Sequence, residues 1–279
     1  MTPEDSLQPQ DLVVTMLGAY VRPFARTVWS GGLVALLAEF GFSDGAARAA
    51  LTRLVRRDLI ARVRSGRLVH YQLTPRCERL LVEGDGRIFT LGRLPADVGP
   101  WTVLWHQIPE DRRLERSRLA RRLRFLGFGS VQDSVWVSPH DHSAEVAELL
   151  ADLGVAGFAT VFVATVREGP GWAALVARGW DLSGLGEGYE AFCSEFGPYR
   201  RPDSSLADRE AFIVRTRMTH VFRAFAQRDP ELPDELAPLS EPRRRAADVF
   251  EALYTSLAPG SQRHFDAATQ AASGSVLES

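Results

Sequence analysis

Nine arginines crowd the stretch from Ser43 to Leu80, at positions 48, 53, 56, 57, 62, 64, 67, 76 and 79, against only Asp44, Asp58 and Glu78. That local balance of +6 stands in a chain of 279 residues with a formal net charge of −2, which leaves −8 for the rest. A guanidinium stays charged at any ordinary pH and presents five donors in a planar fork, the chemistry that suits phosphate oxygens and guanine edges. Basic charge gathered on one segment of an otherwise acidic protein points to a polyanion-binding module. The number of arginines says less than their placement. All 33 cationic residues are Arg, and the chain has neither Lys nor Asn, as a bias against AT-rich codons would produce.

Placement is informative from Ser43 to Arg57, SDGAARAALTRLVRR. Ser43 or Asp44 can cap a helix by accepting a hydrogen bond from a free N–H of its first turn. At about 100° per residue, Ala47, Ala50, Leu51 and Leu54 then share one face, while Arg48, Ala49, Thr52, Arg53 and Arg56 share the other. A helix entering a DNA major groove needs small residues for close approach, Arg for bases and phosphates, and a short hydroxyl such as Thr52. A solvated Arg face would carry the same pattern, so the neighbouring elements decide.

Asp11–Tyr20 is expected to be a first helix, with Leu12, Val13, Met16, Leu17 and Tyr20 at helical spacing. A second, capped by Ser30, would bury Leu33, Leu36, Leu37 and Phe40 before a tight Gly41-Phe42-Ser43 turn, making a helix-turn-helix. The runs 59–64 and 67–73, joined at Ser65-Gly66, read as a hairpin whose tip carries Arg64 and Arg67, the wing of a winged helix. Thr74-Pro75 then caps a closing helix through Leu81. This assigns residues 1–83 to a winged helix-turn-helix DNA-binding domain. Ser43, Arg48, Thr52, Arg53, Arg56, Arg57, Arg64 and Arg67 are its DNA-facing set.

Residues 84–100 are rich in Gly and Pro and read as a linker with a short ordered patch at 87–89. From 101 to 170 the order is strand (101–108), helix from about Arg112, one or two strands (131–138), helix (144–153) and a buried strand (158–166). That βαββαβ order is ferredoxin-like. Its first helix carries seven more arginines between 112 and 124, which leaves a second nucleic-acid surface, a solvated face or a dimer seam open. Residues 171–279 are expected to be helical, with Leu185, Tyr189, Phe192 and Phe196 as one stripe, Phe212–Phe225 as a long helix, and Ala246, Val249, Phe250, Leu253 and Tyr254 as a third face. The fold class is therefore α+β.

Catalytic and metal chemistry finds little to stand on. Cys77 and Cys193 are alone and far apart, with no ligand spacing and no disulfide framework. His140-Asp141-His142 falls in a polar loop without a third partner, and Cys193 sits in an aromatic helical stripe where packing suits it better than reactivity. No phosphate loop follows a strand and no nucleophile elbow is present. We expect no enzyme activity, no cofactor and no metal. The N-terminus is polar and acidic rather than a signal peptide, and no apolar run nears the ~20 residues of a membrane span. A cytoplasmic protein without membrane contact is the expectation.

With these segments placed, the chain resembles the PaaX family of transcriptional repressors from about Leu12 to Phe265. The resemblance rests on Val28-Trp-Ser-Gly-Gly-Leu33, Ala49-Ala-Leu-Thr-Arg-Leu54, Gly127-Phe-Gly-Ser130, Ser134-Val-Trp-Val-Ser-Pro139 and Trp180-Asp-Leu182. The most specific pieces are Phe196-Gly-Pro198 and Asp229-Pro-Glu-Leu-Pro-Asp-Glu-Leu236, followed by Tyr254 and Ala258-Pro259. It implies a homodimeric repressor with a winged-helix N-terminal domain, a ferredoxin-like dimerisation domain and a helical C-terminal domain. It also implies release from double-stranded operator DNA by an acyl-CoA thioester, phenylacetyl-CoA in the best-known case. Family members often carry Trp and Gly shortly after the Leu-Pro-x-Glu-Leu run. Here Ala237-Pro-Leu-Ser-Glu-Pro242 follows instead, a departure that bears on the effector more than on the fold.

An acyl-CoA demands cations for its phosphates and an apolar slot for its acyl group. Trp180, Tyr199, Arg200, Arg201, Arg215 and Arg223 form the effector-binding set expected on that basis, with Arg217 and Phe222 near them in sequence. The middle segment also resembles the small ferredoxin-like nucleases of CRISPR adaptation, which hold a divalent cation with an Asp at the end of their first strand. Here that stretch reads His106-Gln-Ile-Pro-Glu110. Gln107 replaces the carboxylate, and a neutral amide is a poor ligand for a hard dication. Metal-dependent nuclease activity is thus the alternative to the repressor.

Overall fold

The computed structural model describes residues 7–24, 27–93, 99–165, 171–200 and 206–270. The chain divides into two compact units, one of residues 1–89, 192–223 and 248–279, the other of residues 90–191 and 224–247.

In the first unit, α1 (Pro9–Met16) runs into a wider π turn (Leu17–Val21), and Leu12, Val13, Met16, Leu17 and Tyr20 are all buried, the face expected of them. β1 (Val28–Trp29) leads to α2 (Ser30–Ala38) and α3 (Asp44–Arg56). The cap of α2 departs from expectation. Ser30 is its first helical residue, and Trp29, at the N-cap, makes no side-chain cap bond. β2 (Ile60–Ser65) and β3 (Leu68–Leu73) form the hairpin, and β1 pairs with β3, so the three-stranded sheet has the order β1-β3-β2. Gly66, at φ 59°, takes the first of the two turn positions between Ser65 and Leu68, where a type II′ turn requires positive φ.

Thr74 caps α4 (Pro75–Thr90) by accepting from the Cys77 N–H at 3.2 Å, with Pro at the first helical position. The helix does not stop at Leu81. It continues nine residues further, through Gly84 and Gly86, so the linker expected from residue 84 begins inside a helix. Each of these glycines costs roughly 1 kcal/mol of helix propensity. Burial of Ile88, and ring contacts of Phe89 with Phe250 and Tyr254, offset that cost.

Two C-terminal helices, α9 (Asp208–Arg228) and α11 (Ala258–Gln270), contribute Phe212 and Phe265 to the core that the winged helix builds from α1, α2, α3 and the sheet. The Tyr20 ring lies 5.4 Å from Phe212 and 5.0 Å from Phe265, and its hydroxyl hydrogen-bonds Thr216 Oγ1 at 2.9 Å. α2 and α11 cross closely. A Cβ on Gly32 would come within 2.5 Å of the Ala268 carbonyl oxygen, so glycine is required there.

The second unit holds β4 (Trp101–His106), α5 (Arg113–Phe125), β5 (Gly129–Gln132), β6 (Val135–Ser138), α6 (Ser143–Asp152) and β7 (Ala159–Ala164), with sheet order β5-β6-β4-β7 and every pairing antiparallel. This is the expected ferredoxin-like βαββαβ unit. α5 and α6 cover one sheet face, packing Leu119, Leu123, Val146 and Leu150 on Leu104 and Trp136. Trp101 and Val137 on the other face meet Leu232 and Ala237. The last strand differs from the buried one anticipated over 158–166, whose final residue lies outside the described residues. β7 is an edge strand, with Phe162 49% and Val163 55% exposed. An unbroken apolar run has the same appearance in sequence whether both its faces are covered or not.

The remaining helices are α7 (Trp172–Gly179), α8 (Leu185–Phe196) and α10 (Ser240–Ser256). In the second unit, the Asp229 carboxylate accepts several hydrogen bonds. They include those from Tyr189 Oη (2.7 Å), Arg243 Nε and Nη2 (2.7 and 3.0 Å) and the Glu231 N–H (2.7 Å). This buried cluster fixes the switchback Asp229-Pro-Glu-Leu-Pro233 between α9 and α10.

Candidate nucleic-acid interface

α3 is positioned by its two ends. At its start the Ser43 hydroxyl accepts from the Ala46 N–H at 3.3 Å. Just upstream, the Phe42 N–H reaches back to the Leu37 carbonyl and the Gly41 N–H to Ala38, a Schellman exit from α2 with Gly41 at φ 83°. At its end the same pair of bonds recurs, Leu59 N–H to Leu54 and Asp58 N–H to Val55. Here the left-handed position is held by Asp58, at φ 55°. Thr74 Oγ1 donates to the Asp58 carbonyl at 2.7 Å, and Arg76 Nη1 to the Arg57 carbonyl at 3.0 Å, so the turn from α3 into the wing is tied to the start of α4.

The two faces of α3 fall where the spacing places them. Ala47, Ala50, Leu51 and Leu54 are buried, whereas Arg48, Ala49, Arg53, Arg56 and Arg57 are exposed and Thr52 is half-buried. Arg48 makes a long 3.7 Å ion pair with Asp44, both side chains well exposed, which in water contributes little. Thr52 Oγ1 donates to the Arg48 carbonyl at 2.9 Å. Its hydroxyl is thereby left as an acceptor, suited to a base amino group. Arg53 Nε donates to Gln10 Oε1 at 3.1 Å. That bond holds the guanidinium from helix α1, and a residue 43 positions away leaves no mark in the local pattern of α3. Arg64 and Arg67 are exposed on either side of the wing tip, with Arg62 exposed two residues before it.

The described residues anticipated for an effector fall in both units. Arg215 is buried, donates Nε to the Tyr254 carbonyl at 2.9 Å, and lies 3.9 Å from the Tyr254 ring centroid and 5.1 Å from that of Tyr20. Arg223, two turns further along α9, donates to Thr15 Oγ1 at 2.8 Å, and His220 Nδ1 meets the same oxygen at 3.4 Å. Burial pushes Arg223 below the usual guanidinium range, with Asp11, Asp85 and Cys77 opposing the shift. Arg200 is exposed and Tyr199 half-buried in the 3-10 turn Gly197–Arg200, while Arg217 pairs with Glu195 at 3.0 Å. Trp180 belongs to the second unit, where its indole N–H donates to the Gly127 carbonyl at 2.8 Å. Arg201 lies outside the described residues.

Other chemical features are absorbed by packing. Burial, then Glu78, push the Cys77 thiol up to about 11, an inert value. In the 140–142 loop, His140 Nε2 meets the Pro230 carbonyl at 3.1 Å and His142 Nδ1 meets Glu145 at 2.6 Å. Among the described residues no three His, Cys, Asp or Glu side chains converge as a metal site. Gln107 is exposed after β4, its N–H bonded to the Phe158 carbonyl.

Comparison with known proteins follows the same segments. Residues 8–77 match the model of PaaX-like proteins, 96–176 that of the PaaX central Cas2-like domain, and 180–267 that of the PaaX-like C-terminal domain. The chain is 30% identical over 258 residues to the transcriptional repressor PaaX of Escherichia coli K12, covering 89% of this chain and 80% of that one. The chain belongs to the PaaX family. A solved structure, of an uncharacterized protein from Mycobacterium tuberculosis, shares this PaaX-family fold over 94% of the present chain and 99% of its own, with a TM-score of 0.53 and 24% identity. Among the described residues of this PaaX-family chain, no helix is long and apolar enough to cross a membrane.

Proposed function

We propose that the chain is a transcriptional repressor that binds operator DNA as a dimer and leaves it when a small effector, an aryl- or acyl-CoA thioester, binds the C-terminal half. The observation that carries the DNA assignment is the partition of α3, with a buried line of Ala and Leu behind a capped, outward face of Arg, Ala and Thr, followed at once by a wing tipped with Arg64 and Arg67. Arg48, Thr52, Arg53 and Arg56 enter the major groove, and Ser43 and Arg57 flank them. Arg64 and Arg67 hold the backbone from the wing. Membership of a family that includes a protein named a repressor supports the regulatory reading.

The dimer reading draws support from β7, whose exposed Phe162 and Val163 sit on an open sheet edge where a second copy would cover them. The effector acts by differential affinity for two arrangements of the dimer, only one of which matches the spacing of two operator half-sites. No observation favours the nuclease reading over this one, since the amide of Gln107 stands where its metal chemistry needs a carboxylate.

The test is a gel shift of the full chain on the DNA upstream of its own gene, with and without a panel of acyl-CoAs. A specific shift relieved by one thioester is the expected result. A specific shift that no thioester relieves removes the effector class and keeps the repressor. No specific shift on flanking DNA overturns the reading.

A further inference from the structure

The second unit carries its own concentration of positive charge, and its arrangement differs from that of a randomly solvated helix. α5 has six arginines and a single acid, Glu115, in 13 residues. Leu119 and Leu123 point into the core, whereas Arg113, Arg118, Arg121 and Arg124 are all exposed. Among the described residues, Arg113, Arg118 and Arg121 have no carboxylate partner, whereas Arg116 is taken by Glu110 at 2.7 Å and Arg124 lies over the Trp136 ring at 5.2 Å. Codon bias does not explain this distribution. α6 packs beside α5 on the same sheet face and has no cation at all, with Glu145, Glu148 and Asp152 exposed. Like charges left unpaired on successive turns of one helix repel one another, and a polyanion relieves that repulsion.

We propose that the outward face of α5 is a second DNA-binding surface, one that takes the phosphate backbone of duplex DNA without reading bases. The inference rests on the repressor reading and extends it, adding affinity where α3 adds specificity. Three features fit this partner. The guanidinium groups of Arg113, Arg118 and Arg121 end long side chains and have no carboxylate partner among the described residues, so they can follow a backbone. The face carries Leu114 and arginines at its start rather than the small residues that let a helix sink into a groove. The acids of α6 bound the basic stripe on one side, so DNA aligned with α5 avoids them.

The test uses the full chain with Arg113, Arg118 and Arg121 all changed to Gln, all of them exposed positions. Binding to the operator duplex and to an unrelated duplex of equal length is followed by fluorescence anisotropy between 50 and 200 mM NaCl. Each lost phosphate contact removes about 0.9 from the slope of log K against log [salt]. The triple variant therefore loses about 2.7 in slope on both duplexes, and its deficit relative to the parent shrinks by about 40-fold across that salt range. The ratio of specific to unrelated affinity stays within about threefold, and the matching triple Lys variant restores the slope. An unchanged slope overturns the proposal, including the case in which sedimentation shows that the variant dimer has come apart, which would make this face a seam between copies. Failure of the repressor reading is read separately, as a parent protein with no preference for the operator. Even then the slope on the unrelated duplex decides the fate of the α5 surface.

Discussion

α3 and α5 are two helices of 13 residues, each with an apolar line inward and arginines outward, and they differ in nearly everything that decides what a charged helix can touch. α3 begins on a bonded serine cap and exposes Gly45 and Ala49 beside its arginines, so its outer surface is slim. α5 follows a 3-10 turn, has no side-chain cap, and exposes long side chains from its first turn. Arg53 on α3 is steadied by Gln10, whereas Arg113, Arg118 and Arg121 on α5 bond to no other described side chain. Positive charge makes a surface attractive to nucleic acid. Smallness and fixed geometry make it able to read one.

The sharpest way to break that comparison is to remove one guanidinium from each helix. Arg53→Ala is expected to weaken operator binding by about 10- to 100-fold, the range of a lost bidentate base contact, while leaving an unrelated duplex nearly unaffected. Arg121→Ala is expected to cost only a few-fold, equally on both duplexes. Titration of labelled duplexes at fixed salt checks both, and equal losses from the two changes would erase the distinction.

Bulk provides the next test. Ala49→Leu adds a side chain at an exposed helical site, where it should hold stability within about 0.5 kcal/mol, yet it should lower operator affinity by about tenfold by obstructing close approach. Ser117→Leu, at an exposed position of α5, should change affinity by no more than about threefold. Circular dichroism melts alongside the titrations separate obstruction from unfolding.

The two helices also end differently. α5 leaves through Gly127 at φ 87°, with the Phe128 and Gly127 N–H groups bonding back to Leu123 and Arg124, while α3 leaves through Asp58 at φ 55°. Gly127→Ala should lower stability by about 1 kcal/mol, and Asp58→Gly should raise it by a few tenths to about 1 kcal/mol, because only glycine holds that conformation without strain. For domains of this size that is roughly 2–4 °C in Tm in opposite directions, read by calorimetry.

The smallest effect lies beneath α5. His106 is buried, its Nδ1 has no hydrogen-bond partner, and burial together with the Arg116 charge pushes it below the ordinary histidine value of 6.5. The folded protein then holds fewer protons than the unfolded chain once the pH drops under 6.5, so stability falls as the pH falls through that point. Denaturant melts of His106→Gln at pH 7 and pH 5.5 should show a flatter dependence than the parent, and an identical dependence would place the proton elsewhere.

Much of this was legible because it is local. The faces of α3, the turn at Gly41, the hairpin at Gly66 and the βαββαβ order depend on spacings of a few residues, and these the chain carries on its surface. What escaped depends on distant partners. Gly84 and Gly86 are poor helix residues, and only the contacts of Ile88 and Phe89 explain why α4 continues through them. The sequence 158–166 reads as a buried strand, and only the sheet order reveals that β7 is an edge. Arg215 Nε and the Trp180 indole N–H donate to the Tyr254 and Gly127 carbonyls, acceptors that no spacing rule connects to them.

The bonds that Thr15 makes with Arg223 and His220 bear on how such a regulator diversifies. Thr15 and Gln10 lie on the same short helix, one meeting α9 and the other steadying Arg53. Under the proposed function, selection for a new response need not begin where the effector binds. Substitutions on α1 can alter how firmly Arg53 is held while leaving α3 itself unchanged. Under the proposed function, lineages can therefore drift in sensitivity along a helix that lies outside the proposed groove-facing set, and acquire a new signal afterwards.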